Sequence, residues 1–118
     1  MQKFCSLNIP DFEFEKIIDH PSYPGLKIRF YAIPEDNKET YPESEEVADL
    51  IIDRINNGNL AGWFRAGISV FCDMEDIDPE ELVLVNCTHE SFDDFMEDEI
   101  FRSVVSELTQ DMFEFNKN

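Results

Sequence analysis

Residues 91–115, SFDDFMEDEIFRSVVSELTQDMFEF, carry two apolar stripes at helical spacing that one straight helix cannot point at a single core. Phe92, Phe95, Met96 and Ile100 form the first stripe, and Phe101, Val104, Val105, Leu108 and Met112 form the second. Drawn on one helical period, the two lie more than a quarter turn apart around the axis. The sequence therefore predicts a short helix capped by Ser91, a bend near Asp98, and a second helix of about four turns ending near Phe113. Without a bend, Phe101, Leu108 and Met112 would be left as an exposed patch for a partner, a disfavoured arrangement in water.

The rest of the chain supplies the surface on which those helices pack. Phe12 and Phe14 alternate with Glu13 and Glu15 in FEFEKII, as a half-buried strand requires. After the turn signal HPSYPG comes LKIRFYAI, with Leu26, Ile28, Phe30 and Ala32 on one side and Lys27, Arg29 and Tyr31 on the other. A helix is expected next, over 43–57. Thr40 and Glu43 have capping-box spacing with Pro42 in the first turn, Val47, Ala48, Ile51, Ile52 and Ile55 recur at helical spacing, and Asn57-Gly58 ends it. WFRAGISVFCD and ELVLVNCT read as a second pair of strands around an acidic connection. The order is ββαββαα. The expected fold is α+β: a single domain over 1–118 with a four-stranded, mainly antiparallel sheet and helices packed on one face.

Charge restricts the partners. The chain holds 27 Asp and Glu against 9 Lys and Arg, a formal net charge of −18. The excess is uneven, with 12 acids and 7 bases in residues 1–65 but 15 acids and 2 bases in residues 66–118. Phosphates of nucleic acid or anionic lipid would be repelled, so direct nucleic-acid and membrane binding are excluded and a basic protein surface is favoured. The candidate contacts are Asp93, Asp94, Glu97, Asp98, Glu107 and Asp111 on the C-terminal helices. Acids one helical turn apart stand about 6 Å from each other, near the spacing of phosphates along one nucleic-acid strand. Apolar runs are short, no secretory signal opens the chain, and three cysteines without framework spacing fit a reducing cytoplasm.

Chemistry-bearing motifs are weak. Asp73, Glu75, Asp76, Asp78, Glu80 and Glu81 are oxygen-rich, but they lack the glycine and the loop spacing of a calcium-binding hand. Cys87, His89 and Glu90 could be nucleophile, base and orienting acid, and Cys5, Cys72, Cys87 and His89 could be zinc ligands, yet neither set has a supporting knuckle or glycine-rich turn. Trp63, Phe64 and Phe71 around Arg65 could form an aromatic binding face or simply a sheet core. No catalytic residue, metal or cofactor is expected.

The stretch Asn59 to Leu108, with LAGWFRAGISV, LVLVNCTHES and SFDDF, resembles small uncharacterised acidic proteins of phages and plasmids. It departs from their pattern at EDEIF, where those proteins carry Gly and Tyr between two helical segments. The resemblance implies a mobile-element setting inside a bacterial host. It is broadly similar to the class of anti-defence inhibitors, the anti-CRISPR and anti-restriction proteins. The expected function is a non-enzymatic inhibitor, of DNA-mimic type, that binds a basic nucleic-acid-binding surface of a host defence complex. The alternative is a general interaction or assembly module of a phage or plasmid, a homodimer through an exposed apolar helix face.

Overall fold

The computed structural model describes residues 7–35, 44–72 and 80–115. Four strands, β1 (Phe14–Asp19), β2 (Leu26–Pro34), β3 (Phe64–Cys72) and β4 (Glu80–Cys87), form one sheet in chain order. Each strand pairs antiparallel with the next, so the sheet is a meander of local hairpins. Helix α1 (Glu45–Asn56) stands between the two hairpins, and α2 (Phe92–Glu97) and α3 (Glu99–Phe115) follow the sheet. The expected ββαββαα order and α+β class are what the chain adopts.

Alternation sorts the sheet's two faces as the strand patterns require. Ile28, Phe30 and Ala32 of β2, with Ala66, Ile68 and Val70 of β3, are buried beneath α2 and α3. Phe30 lies at the middle of this layer. Its ring centroid is 5.8 Å from Phe14, 5.2 Å from Phe95 and 6.1 Å from Phe101. Burial of each large apolar side chain stabilises by about 1.5–3 kcal/mol, so this layer, aromatic and aliphatic together, holds the helices to the sheet.

The bend falls at Asp98. Its backbone is extended (φ −71°, ψ 148°), ending α2, while its Oδ1 accepts the Ile100 amide at 2.9 Å and so caps α3. Ser91 caps α2 in the same way, its Oγ accepting the Asp94 amide at 2.9 Å. Through this turn both stripes reach one core, because Phe95, Phe101, Val104, Val105, Leu108 and Met112 are all buried together. Two expectations are corrected by this packing. Ile100 does not continue the first stripe and is 56% exposed. The Phe101, Leu108 and Met112 face is 2–4% exposed, so the apolar helix face expected to support a homodimer is already used inside the chain. Helix α3 also runs two residues beyond the expected Phe113.

Helix α1 is capped by Ser44, whose hydroxyl accepts the Glu46 amide at 3.1 Å, rather than by Thr40, which lies outside the described residues with Pro42 and Glu43. Its other end follows the Asn-Gly signal. Gly58 takes φ 82° and its amide bonds the Ile55 carbonyl, while the Asn59 amide bonds the Arg54 carbonyl. Both bonds satisfy carbonyls that the helix end would leave open. The buried side of α1, Ala48, Ile51 and Ile55, packs with Leu7 and Trp63 in a second cluster. So α2 and α3 cover the sheet face, while α1 anchors the segment that enters β3.

Candidate functional site: an acidic helical surface

The six carboxylates singled out in the sequence divide into two groups. Asp93 receives Lys16 Nζ at 3.4 Å, Asp94 Oδ2 stands 3.2 Å from His89 Nδ1, and Asp98 caps α3. These three hold α2 to β1, to the β4–α2 junction and to α3. Glu97, Glu107 and Asp111 are exposed and have neither an ion pair nor a side-chain hydrogen bond among the described residues. Glu107 and Asp111 are one turn apart on α3, and Glu97 lies on the solvent side of α2.

Where the bases lie explains why these acids remain uncompensated. On the open face of the sheet, Arg29 binds Glu15 at 2.6 Å and Lys27 binds Asp19 at 3.0 Å. Arg65 binds the buried Glu35 at 3.1 Å, and the other oxygen of Glu35 accepts the Asn86 amide at 3.1 Å. Arg29 also stands 4.9 Å over the Tyr31 ring, whose hydroxyl donates to Glu81 at 3.0 Å. The cations of β2 and β3 are thus engaged by carboxylates of the sheet or of the residue that follows β2. Only Lys16 reaches across to α2, and Arg102 on α3 has no carboxylate partner among the described residues.

A groove of about 970 Å³ separates α3 from the β1–β2 turn. Ile18, Ile28, Phe101 and Val105 form its floor, with Arg102, His20 and Tyr23 near its rim. His20 Nδ1 accepts the Ser22 amide at 3.1 Å, so the ring is the neutral tautomer that donates from Nε2 to Thr109 Oγ1 at 3.0 Å. Thr109 Oγ1 in turn donates a hydrogen bond to the Val105 carbonyl at 2.6 Å. Burial lowers the His20 pKa from its ordinary 6.5, consistent with this neutral form. These bonds tie the turn to α3 and leave no polar group of His20 turned towards chemistry.

The remaining sequence candidates separate in space. Cys72 and Cys87 sit on adjacent strands but at opposite ends, Cys72 opposite Leu26 and Cys87 opposite Phe64. No three metal-ligating side chains converge among the described residues, which rules the zinc set out there; Cys5 and most of the 73–81 acidic connection lie outside them. Burial, and then the charge of Glu35, push the Cys87 thiol up to about 11, the reverse of an activated nucleophile. His89 turns away to Asp94 and packs its ring 5.0 Å from Phe95. Its backbone is held by the 3-10 turn Leu60–Gly62, the His89 amide donating to the Ala61 carbonyl at 2.8 Å. Trp63 and Phe64 are fully buried, so they belong to the core and not to a binding face.

Comparison with known protein families, with curated proteins and with solved structures finds no match to this chain. Among the described residues no helix is long and apolar enough to cross a membrane. Sequence reasoning missed the groove, the buried Glu35 bridge and the exposure of β4. Glu35 looks like any loop acid in PEDNKET, and nothing in its neighbours marks it as an acid that becomes buried.

Proposed function

We propose that the chain is a non-enzymatic binding protein whose acidic C-terminal helices dock on a basic surface that otherwise holds nucleic acid. One observation carries this reading. The bases of β2 and β3 are consumed by neighbouring carboxylates, whereas Glu97, Glu107 and Asp111 face solvent uncompensated on two helices packed against the sheet. A preformed array of carboxylates avoids the ordering cost that a flexible acidic tail would bring to binding. In the field of a positively charged channel it would also associate fast, with a rate that falls steeply as salt rises.

The partner class that fits is a nucleic-acid-binding complex of a bacterial host. The mobile-element setting, and with it the inhibitory sense of the contact, rests on the resemblance of Asn59–Leu108 to phage and plasmid proteins. The mechanism is steric and electrostatic competition with the nucleic acid. A direct test immobilises the chain, passes bacterial lysate over it, and elutes with duplex DNA. Recovery of nuclease, restriction or CRISPR components that DNA displaces is expected, and recovery of none of them counts against the reading.

A further inference from the structure

The sheet's two edges are guarded differently. At β1, Lys16 sits on the helix side of the strand between Phe14 and Ile18 and pairs with Asp93, while Glu15 and Asp19 carry ion pairs on the other side. Charges placed along an edge strand discourage the approach of another strand. β4 has no such guard over Leu82–Val85, four apolar residues in a row. Leu82 is 37%, Val83 49% and Val85 56% exposed.

The hydrogen-bond register shows which groups this edge offers. The His20 amide donates to the Leu26 carbonyl, which fixes the alternation of β2: Ile28 and Phe30 turn their peptide groups to β1, and Lys27, Arg29 and Tyr31 turn theirs to β3. Across β3 the opposite set, Ala66, Ile68 and Val70, turns to β4 and meets Leu84, Leu82 and Glu80. The peptide groups of Glu81, Val83 and Val85 therefore point out of the sheet, and no strand of the described residues takes them. A bulge follows, where the register shifts between Phe64 and Ala66 and Asn86 takes φ 56° against Glu35. It ends the pairing surface after Val85.

Charge selects the occupant. Glu80 and Glu81 open the strand. The groove occupies the flank of α3 that carries Arg102, Ser106 and Thr109, so the opposite flank, with Glu107 and Asp111, lies on the β4 side. A second copy of the chain would bring the same acids to the same place. We infer that β4 receives an extended basic segment of the partner protein as a fifth strand, main-chain bonds forming at Glu81, Val83 and Val85 and cationic side chains meeting Glu107 and Asp111. This rests on the acidic-surface reading for the sign of the partner's charge and on the register for its place.

The test uses a short peptide alternating lysine and valine, its glutamate–valine counterpart, and amide hydrogen exchange resolved by NMR on the whole chain. The lysine peptide should slow exchange at Glu81, Val83 and Val85, and the glutamate peptide should not. Val83→Pro removes one outward amide without touching the β3 ladder. It should leave the unfolding midpoint in place and weaken the lysine peptide about tenfold or more, as loss of a strand-pairing bond implies. Protection elsewhere, equal effects of both peptides, or an unchanged affinity in Val83→Pro would overturn the inference. So would a concentration-dependent dimer in ultracentrifugation that Val83→Pro abolishes, because the edge would then serve a second copy. If lysate partners are lost on charge reversal at Glu97, Glu107 and Asp111 yet kept by Val83→Pro, the edge inference fails and the acidic-surface reading stands.

Discussion

Gly67 lets the Tyr31 ring of β2 lie over β3 on the open face, and its replacement gives a test with a change of sign. A Cβ at Gly67 would overlap the ring of Tyr31, its directly opposed partner. In Gly67→Ala the ring must swing away. It then leaves the Glu81 carboxylate, 3.0 Å from its hydroxyl, and the Arg29 guanidinium, 4.9 Å from its centroid. The hydrogen bond contributes about 1 kcal/mol and the exposed cation–π contact about 0.5–1 kcal/mol. Against this stands a gain of about 0.5–1 kcal/mol from removing glycine's freedom in the unfolded chain. The net expectation is a loss of about 1 kcal/mol in the native background. In a Tyr31→Ala background the ring is gone and only the gain remains, so the same substitution should stabilise. Urea unfolding of the four proteins in a double-mutant cycle measures both numbers. An equal loss in both backgrounds would refute the ring-overlap argument and place the strain in the backbone.

Other consequences follow from the same contacts. Asp98→Ala removes the α3 cap and should cost about 1 kcal/mol in urea unfolding, with Asp98→Ser recovering most of it. A cost within error would mean that the bend is held by packing alone. Because His20 is held neutral by burial, the native state binds fewer protons than the unfolded chain near its ordinary pKa. Its contribution is complete above about pH 6.5 and is lost as pH falls through the lower native value, so His20→Gln should flatten the stability profile across that range. An unchanged profile would contradict the Thr109–His20–Ser22 chain. Alkylation of Cys87 by iodoacetamide, mapped by mass spectrometry, should climb about tenfold per pH unit up to about 11. A plateau by pH 9 would show an activated thiol and reopen a nucleophilic role.

The bend was legible in the sequence because two stripes cannot share one straight axis, whereas the Asp98 cap that fixes its place was not, since neither Gly nor Pro marks the break. The strands were legible from alternation in β2 and β-branched content in β3 and β4. Leu82-Val83-Leu84-Val85 illustrates the limit. An uninterrupted apolar run reads the same whether its strand is buried on both faces or open at the sheet's edge, and only strand order decides. The acids of α2 posed a similar ambiguity. Spacing puts Asp93, Asp94 and Glu97 on one solvent-facing side, but only tertiary placement engages Asp93 with Lys16 and Asp94 with His89 while leaving Glu97 unengaged. Thr40 carried a better capping pattern than Ser44, yet the helix begins at Glu45, where Val47, Ala48 and Ile51 can reach Leu7 and Trp63.

The central claim is that Glu97, Glu107 and Asp111 bind a basic surface in place of nucleic acid. Its most direct measurement compares the native chain with Glu97→Lys/Glu107→Lys/Asp111→Lys as baits in bacterial lysate, with elution by duplex DNA and by salt. These side chains are exposed and hold nothing inside the fold, so the variant should unfold at an unchanged urea midpoint. The account predicts that nucleic-acid-binding proteins retained by the native chain are released by DNA and by salt, and are absent from the variant's eluate. Retention of the same proteins by the variant, or a native-chain complex that neither DNA nor salt disturbs, would contradict it.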